Sequence, residues 1–238
     1  MFNHVRYLIF KIKIMKIFCL FFISLIYSTL IFSQNKIQIT NASFEGEAFQ
    51  GVNYNDKNKL LKEWTDCTNY WNFDGETPYD VHTTESKFWG VKQQASHGNS
   101  FISLVVRQTD TFEGISQKLT SPLKANKCYE LEIDISKSER MMSQVASAGN
   151  KQLYFDTDAV LKISFGNELC QISKCVAKSK PVSNTEWKRY KFQFKPQENY
   201  NYITFSAFWD TPVLEAYNGN ILIDNLSNIK EVGCSDFD

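Results

Sequence analysis

The sequence predicts an all-β sandwich forming a single domain, and three observations lead there. First, Tyr129, Leu131, Ile133 and Ile135 alternate with Glu130, Glu132, Asp134 and Ser136. A period of two puts one face of a strand on a core and the other toward water. Second, the alternation recurs in Leu161–Phe165 and Tyr190–Lys195. Third, helix signals are poor. The one candidate, Ser138 to Ser147, reads better as a long loop with a helical turn.

Taken in order, the chain opens on a leader. Lys11, Lys13 and Lys16 precede an apolar run from Ile17 to Phe32, which closes at Ser33-Gln34. A basic segment, an apolar segment and small residues near a cleavage point make a secretory signal peptide. Cleavage is expected after Ser33, although Ile31 is large for its position, and Met15 offers an alternative start. The run is shorter than the ~20 residues of a spanning helix. Cys19 lies too early in it to be a lipidation site. The expected division is therefore a signal peptide over residues 1–33 and one binding domain over 34–238.

Within that domain Lys36 to Thr40 begins the strands. Gln50 to Gln94 is irregular and holds Trp64, Tyr70, Trp71, Phe73, Tyr79, Phe88 and Trp89. So many aromatics do not suit disorder, and loops this long tend to be functional. The segment is expected to be an ordered flap over one face. Phe101 to Val106 is nearly all apolar and fits a buried central strand. Thr111 to Leu119, carrying Glu113 and Gln117, is a weaker one. Tyr202 to Trp209 and Ile221 to Leu226 bring the total to eight or nine strands.

Charge limits the function classes. The whole chain carries 26 basic and 26 acidic residues; beyond the leader the balance is 22 to 26, about −4. That disfavours a nucleic-acid partner, which requires a basic face. Five cysteines remain beyond the leader, and export permits disulfides. Cys170 and Cys175 are close enough for a small bridged loop. Cys128 and Cys234 flank strands and are placed to pair across the domain. Cys67 is then left over as a free thiol or an intermolecular link. The spacings match no zinc pattern.

The opening Asn41-Ala42-Ser43-Phe44-Glu45-Gly46, the later Trp64 and the closing Ile221-Leu222-Ile223-Asp224-Asn225-Leu226-Ser227 resemble the bracket of the galactose-binding-like jelly roll of carbohydrate-binding modules. The leader and general style also resemble exported proteins of flavobacteria-like bacteria. The family resemblance implies a jelly-roll β-sandwich whose function is binding. It also implies a structural Ca2+ between the first and last strands, with Glu45 and Asp224 at the matching positions. Calcium takes several carboxylate and carbonyl oxygens; the alternative is that both residues hydrogen-bond turn amides.

Sugar recognition pairs an aromatic ring, which packs on the apolar face of a pyranose, with a few placed polar groups. The candidate stackers are Trp71, Trp89, Trp209 and Tyr217. The candidate polar partners are Asp80, His82, Arg107, Asp210 and Asn218. Each has a structural alternative: an ion pair to Glu113 or Asp110 for Arg107, core packing for Trp209, and turn geometry for Asn218 before Gly219. No catalytic constellation stands out. There is no G-x-S-x-G elbow, and no carboxylate pair of the kind a glycosidase needs is evident. The expected function is non-catalytic binding of a carbohydrate, secreted or at the cell surface. A protein–protein accessory role in a surface complex is the alternative, and a polysaccharide-active enzyme is the third reading.

Overall fold

The computed structural model describes residues 36–52, 60–73, 77–145, 148–149, 151–210 and 215–237. The expected leader lies outside the described residues, as do parts of the expected flap. Two antiparallel sheets face each other, and the chain crosses between them repeatedly. The larger sheet contains β1 (Lys36–Ile37), β3 (Asp80–Thr83), β4 (Ser100–Arg107), β5 (Thr111–Phe112), β7 (Cys128–Ser136), β12 (Lys188–Phe194), β14 (Gly219–Asp224) and β15 (Ile229–Val232). The smaller runs β11 (Cys175–Lys178), β10 (Val160–Gly166), β13 (Tyr200–Phe208), β6 (Gly114–Leu123) and β2 (Thr65–Asp66). The chain passes from β6 to β7, from β11 to β12, and then to β13 and β14, changing sheet each time, which gives the jelly-roll sandwich its connectivity. A separate hairpin pairs β8 (Met141–Val145) with β9 (Lys151–Phe155).

The core follows from the period-two pattern. Ile102, Leu104 and Val106 of β4, Ile221 and Ile223 of β14, and Leu131, Ile133 and Ile135 of β7 are fully buried. They join one cluster with Leu161, Ile163 and Phe165 of β10 and Ile203, Phe205 and Ala207 of β13. The alternation in β7 therefore faces the core as expected. Its other face is less wet than expected, because Asp134 and Ser136 are also buried. Residues 88–97 lie over that outer face, where Leu222, Phe101 and Val91 form a second apolar cluster with half-buried Trp187 packed against it.

Three expectations change. The segment from Gln50 to Gln94 is not only a flap, since it supplies β2 to the smaller sheet and β3 to the larger. Met141 to Val145 is a strand rather than a loop with a helical turn. The expected strand Thr111 to Leu119 is broken at Glu113, where the chain passes between sheets: its N–H donates to Val105 O and its carbonyl accepts from Ala207 N.

The cysteine pairing differs as well. Cys67 joins Cys170, and Cys128 joins Cys234 as expected. Cys175 is the exposed free thiol. Cys67 is fully buried beside the turn between β10 and β11, so Cys170 meets it there rather than its near neighbour in sequence. No helix among the described residues is long and apolar enough to cross a membrane.

Candidate functional site

The outer face of the larger sheet carries an open cleft of about 350 Å3. Its floor comes from strand alternation. Asp80 on β3 and Ser103, Val105 and Arg107 on β4 point away from the core, because their neighbours Val81, Ile102, Leu104 and Val106 point into it. Asn218, just before β14, completes the floor. Trp89, Val91 and Met141–Gln144 of the hairpin wall it.

Trp89 sits in the left-handed region at φ 52, followed by Gly90 at φ 78. This tight turn brings the indole back over the sheet, where its Nε1 donates to Asp80 Oδ1 at 3.2 Å. The same oxygen accepts from Gly51 N at 2.7 Å. Burial pushes the Asp80 carboxyl up to about 6, against the pull of these donors and of Arg107.

Beside it lies an ion pair whose carboxylate is buried. Arg107 Nη2 contacts Glu113 Oε1 and donates to Thr77 Oγ1 at 3.3 Å. Glu113 Oε2 accepts from Val105 N at 3.1 Å. Burial pushes the Glu113 carboxyl well up, while the Arg107 guanidinium pulls it down. Asn218 Oδ1 accepts from Gln108 N at 3.0 Å, which fixes the amide orientation. Its Nδ2 is buried with no partner among the described residues.

The cleft thus brings together Trp89, Asp80, Arg107 and Asn218 of the expected site residues. The other five lie elsewhere. Trp209 is 4% exposed and packs edge-on against Phe112 and Phe208. Its Nε1 donates to Tyr217 O at 2.9 Å, so it is a core residue and not a ring displayed at the sheet edge. Tyr217 Oη donates to Asp158 O and accepts from Asp210 N; Asp210 itself is exposed. Trp71 stacks near Phe73 and Phe112, with its Nε1 held by Cys170 O at 2.8 Å. His82 lies beneath the covering segment, 1% exposed, stacked on Phe101 at 5.2 Å. Burial lowers its imidazole to about 3.

Sequence reasoning missed the hairpin wall and the roles of Thr77 and Gln108. It named Glu113 only as a partner of Arg107.

Glu45 and Asp224 converge on one loop at the margin of the same sheet. The Glu45 carboxylate accepts from Asn99 N at 3.0 and 3.2 Å. Asp224 Oδ2 accepts from His97 N at 2.8 Å and Oδ1 from Asn225 N at 2.6 Å. A Cβ at Gly98, whose φ is +68, would collide with Glu45, so glycine is required at this turn. Burial, with Glu45 contributing, raises Asp224 to about 7 against its three backbone donors. Both residues do bind turn amides. No cluster of three or more acidic, histidine or cysteine ligands occurs among the described residues.

No protein-family model and no curated protein matches the chain. Among solved structures it is similar to the stig cyclase Fisc from Fischerella sp. TAU, at 13% identity and a TM-score of 0.49, over 84% of this chain and 98% of that one. It is also similar to the CBM22-1 xylan-binding domain of Xyn10C from Paenibacillus barcinonensis, at 16% and 0.45, over 81% and 93%. A CBM4 structure matches at 11% and 0.40, over 72% and 99%. At these values the likeness carries no argument about ligand or activity.

Proposed function

We propose that this protein is a secreted or surface-associated, non-catalytic module that binds a carbohydrate in the cleft beneath Trp89. One observation carries the reading: a ring held by its own hydrogen bond stands beside a buried carboxylate, a half-buried guanidinium paired to a second carboxylate, and an oriented amide. The volume falls at the small end of ligand pockets, roughly 300–1,000 Å3. The two disulfides fit an oxidising compartment.

The test is a glycan array probed with the wild-type protein and with Trp89→Ala. Binding to one class of sugar, weakened roughly tenfold or more in the variant at an unchanged melting temperature, supports the reading. That factor corresponds to about 1.4 kcal/mol. A flat array with a stable co-purifying protein sinks it in favour of the accessory-subunit reading. Asp80 and Glu113 share one cleft with raised carboxyls, so release of reducing sugar is measured alongside. Turnover would overturn the non-catalytic part alone.

We further propose a structural Ca2+ held by Glu45 and Asp224 with nearby carbonyl oxygens. The residues fit in one respect: two acidic groups face the same loop, and burial together with Glu45 disfavours the charged form of Asp224, a cost that a divalent cation relieves. Added calcium should raise the melting temperature and a chelator lower it. Identical melting with both would remove the ion from this account.

A further inference from the structure

Trp89–Val91 and the hairpin meet across the outer face. They meet at Gly90, whose φ of +78 favours glycine and where a Cβ would stand 3.1 Å from Arg140 O. The strap so formed has the first cleft on one side. On the other is a second, larger cleft of about 830 Å3, lined by Lys92, Gln94, Arg140, Tyr154, Glu186 and Trp187 among others.

Two aromatic residues line it. Tyr154 is 56% exposed, yet it is held in place by the Arg140 guanidinium, 4.5 Å from the ring centroid. A guanidinium over a ring is attracted by the ring quadrupole. Trp187 is also fixed: its Nε1 donates to Gln94 O at 2.8 Å, and its ring packs edge-on at 5.4 Å from Phe101. An exposed aromatic residue held in advance, facing a cleft that a second fixed ring lines, is a binding arrangement. The lining charges balance, Lys92 and Arg140 against Glu139 and Glu186, so nothing there selects a charged ligand.

We propose that this second cleft is a separate binding site for an uncharged glycan segment, with Tyr154 and Trp187 as its platforms. The proposal rests on the glycan reading of the first cleft. It gives the domain two sites on one face, divided by the Gly90–Arg140 strap. Two sites on one polymer gain avidity without any new contact in either.

The experiment uses Tyr154→Ala, which removes an exposed side chain and leaves the core intact, and compares it with Trp89→Ala and the wild type. Affinity electrophoresis through soluble xylan, β-glucan and galactomannan measures retention, and calorimetry with xylo-, cello- and manno-oligosaccharides of one to six units measures stoichiometry. The expected result is two equivalents bound by the wild type and one by each variant. Retention on the polymer should fall roughly tenfold or more in Tyr154→Ala. One equivalent for the wild type, together with unchanged retention of Tyr154→Ala, overturns the second site and leaves the first standing. No binding to any of these probes overturns both.

Discussion

At the residue scale, His82 shows how a buried titratable group fixes a pH response. Both ring nitrogens are buried and have no partner among the described residues, and the ring is bounded by Phe88 and Phe101. The imidazole titrates near 6.5 when unfolded and at about 3 when folded. The unfolded chain therefore binds the extra proton between those values, and stability drops as pH falls through that window. Asp80 works in the opposite sense: raised from 3.8 to about 6, it loses stability as pH rises across that interval. His82→Phe keeps the stacking and removes only the first effect. The melting temperature of the wild type should fall more between pH 7 and pH 4.5 than that of the variant. Two pH units below the unfolded value set the difference at no more than about 2–3 kcal/mol. Equal slopes for the two proteins would show that His82 is already charged or solvated.

At the element scale, what could be read from the sequence depended on whether a strand has one wet face. β7, β10 and β12 show clean alternation because one side lies on the core, and each was expected within a residue or two of its ends. β3, Asp80-Val81-His82-Thr83, gave no usable signal. Its outward Asp80 and His82 are buried under the covering segment, so polarity no longer reported exposure. β8 and β9 stand apart from both sheets, and with no shared core Met141-Met142-Ser143 carries no period of two. The site was legible in the same measure. Trp89, Asp80, Arg107 and Asn218 were nameable as residue types, while the hairpin that walls them in was not. The Cys67–Cys170 bond was equally hidden: 103 residues separate its ends, and Cys175 is the nearer neighbour of Cys170 in sequence. A closed loop of that length restricts the unfolded chain strongly, and loss of such a bond typically costs about 2–5 kcal/mol. Cys67→Ala combined with Cys170→Ala should lower the urea midpoint accordingly, with Cys128–Cys234 intact. A midpoint within error of wild type would mean that the packing of Trp71 and Phe112 alone holds that end of the smaller sheet.

At the scale of the whole molecule, the two sheets serve different purposes. The smaller closes the core from one side. The larger is apolar inward and polar outward, and its outward face carries both clefts and the Glu45–Asp224 loop. The proposed binding clefts and the proposed calcium site thus lie on one face. Trp209, buried between the sheets, belongs to the frame; truncating a core Trp costs about 3–5 kcal/mol. A loss of binding on its replacement would report unfolding, which is why Trp89 and Tyr154 are the informative positions.

The pairing of β1 with β15 has a consequence for how the chain is made. Lys36 and Ile37 find their partners only at Lys230 and Ile229, and Cys128 finds its partner at Cys234. Synthesis proceeds from the N-terminus, so the edge of the larger sheet stays open until these last segments emerge. Contacts this distant in sequence also form slowly. That edge of the larger sheet therefore cannot close until the segment carrying β15 and Cys234 has been made.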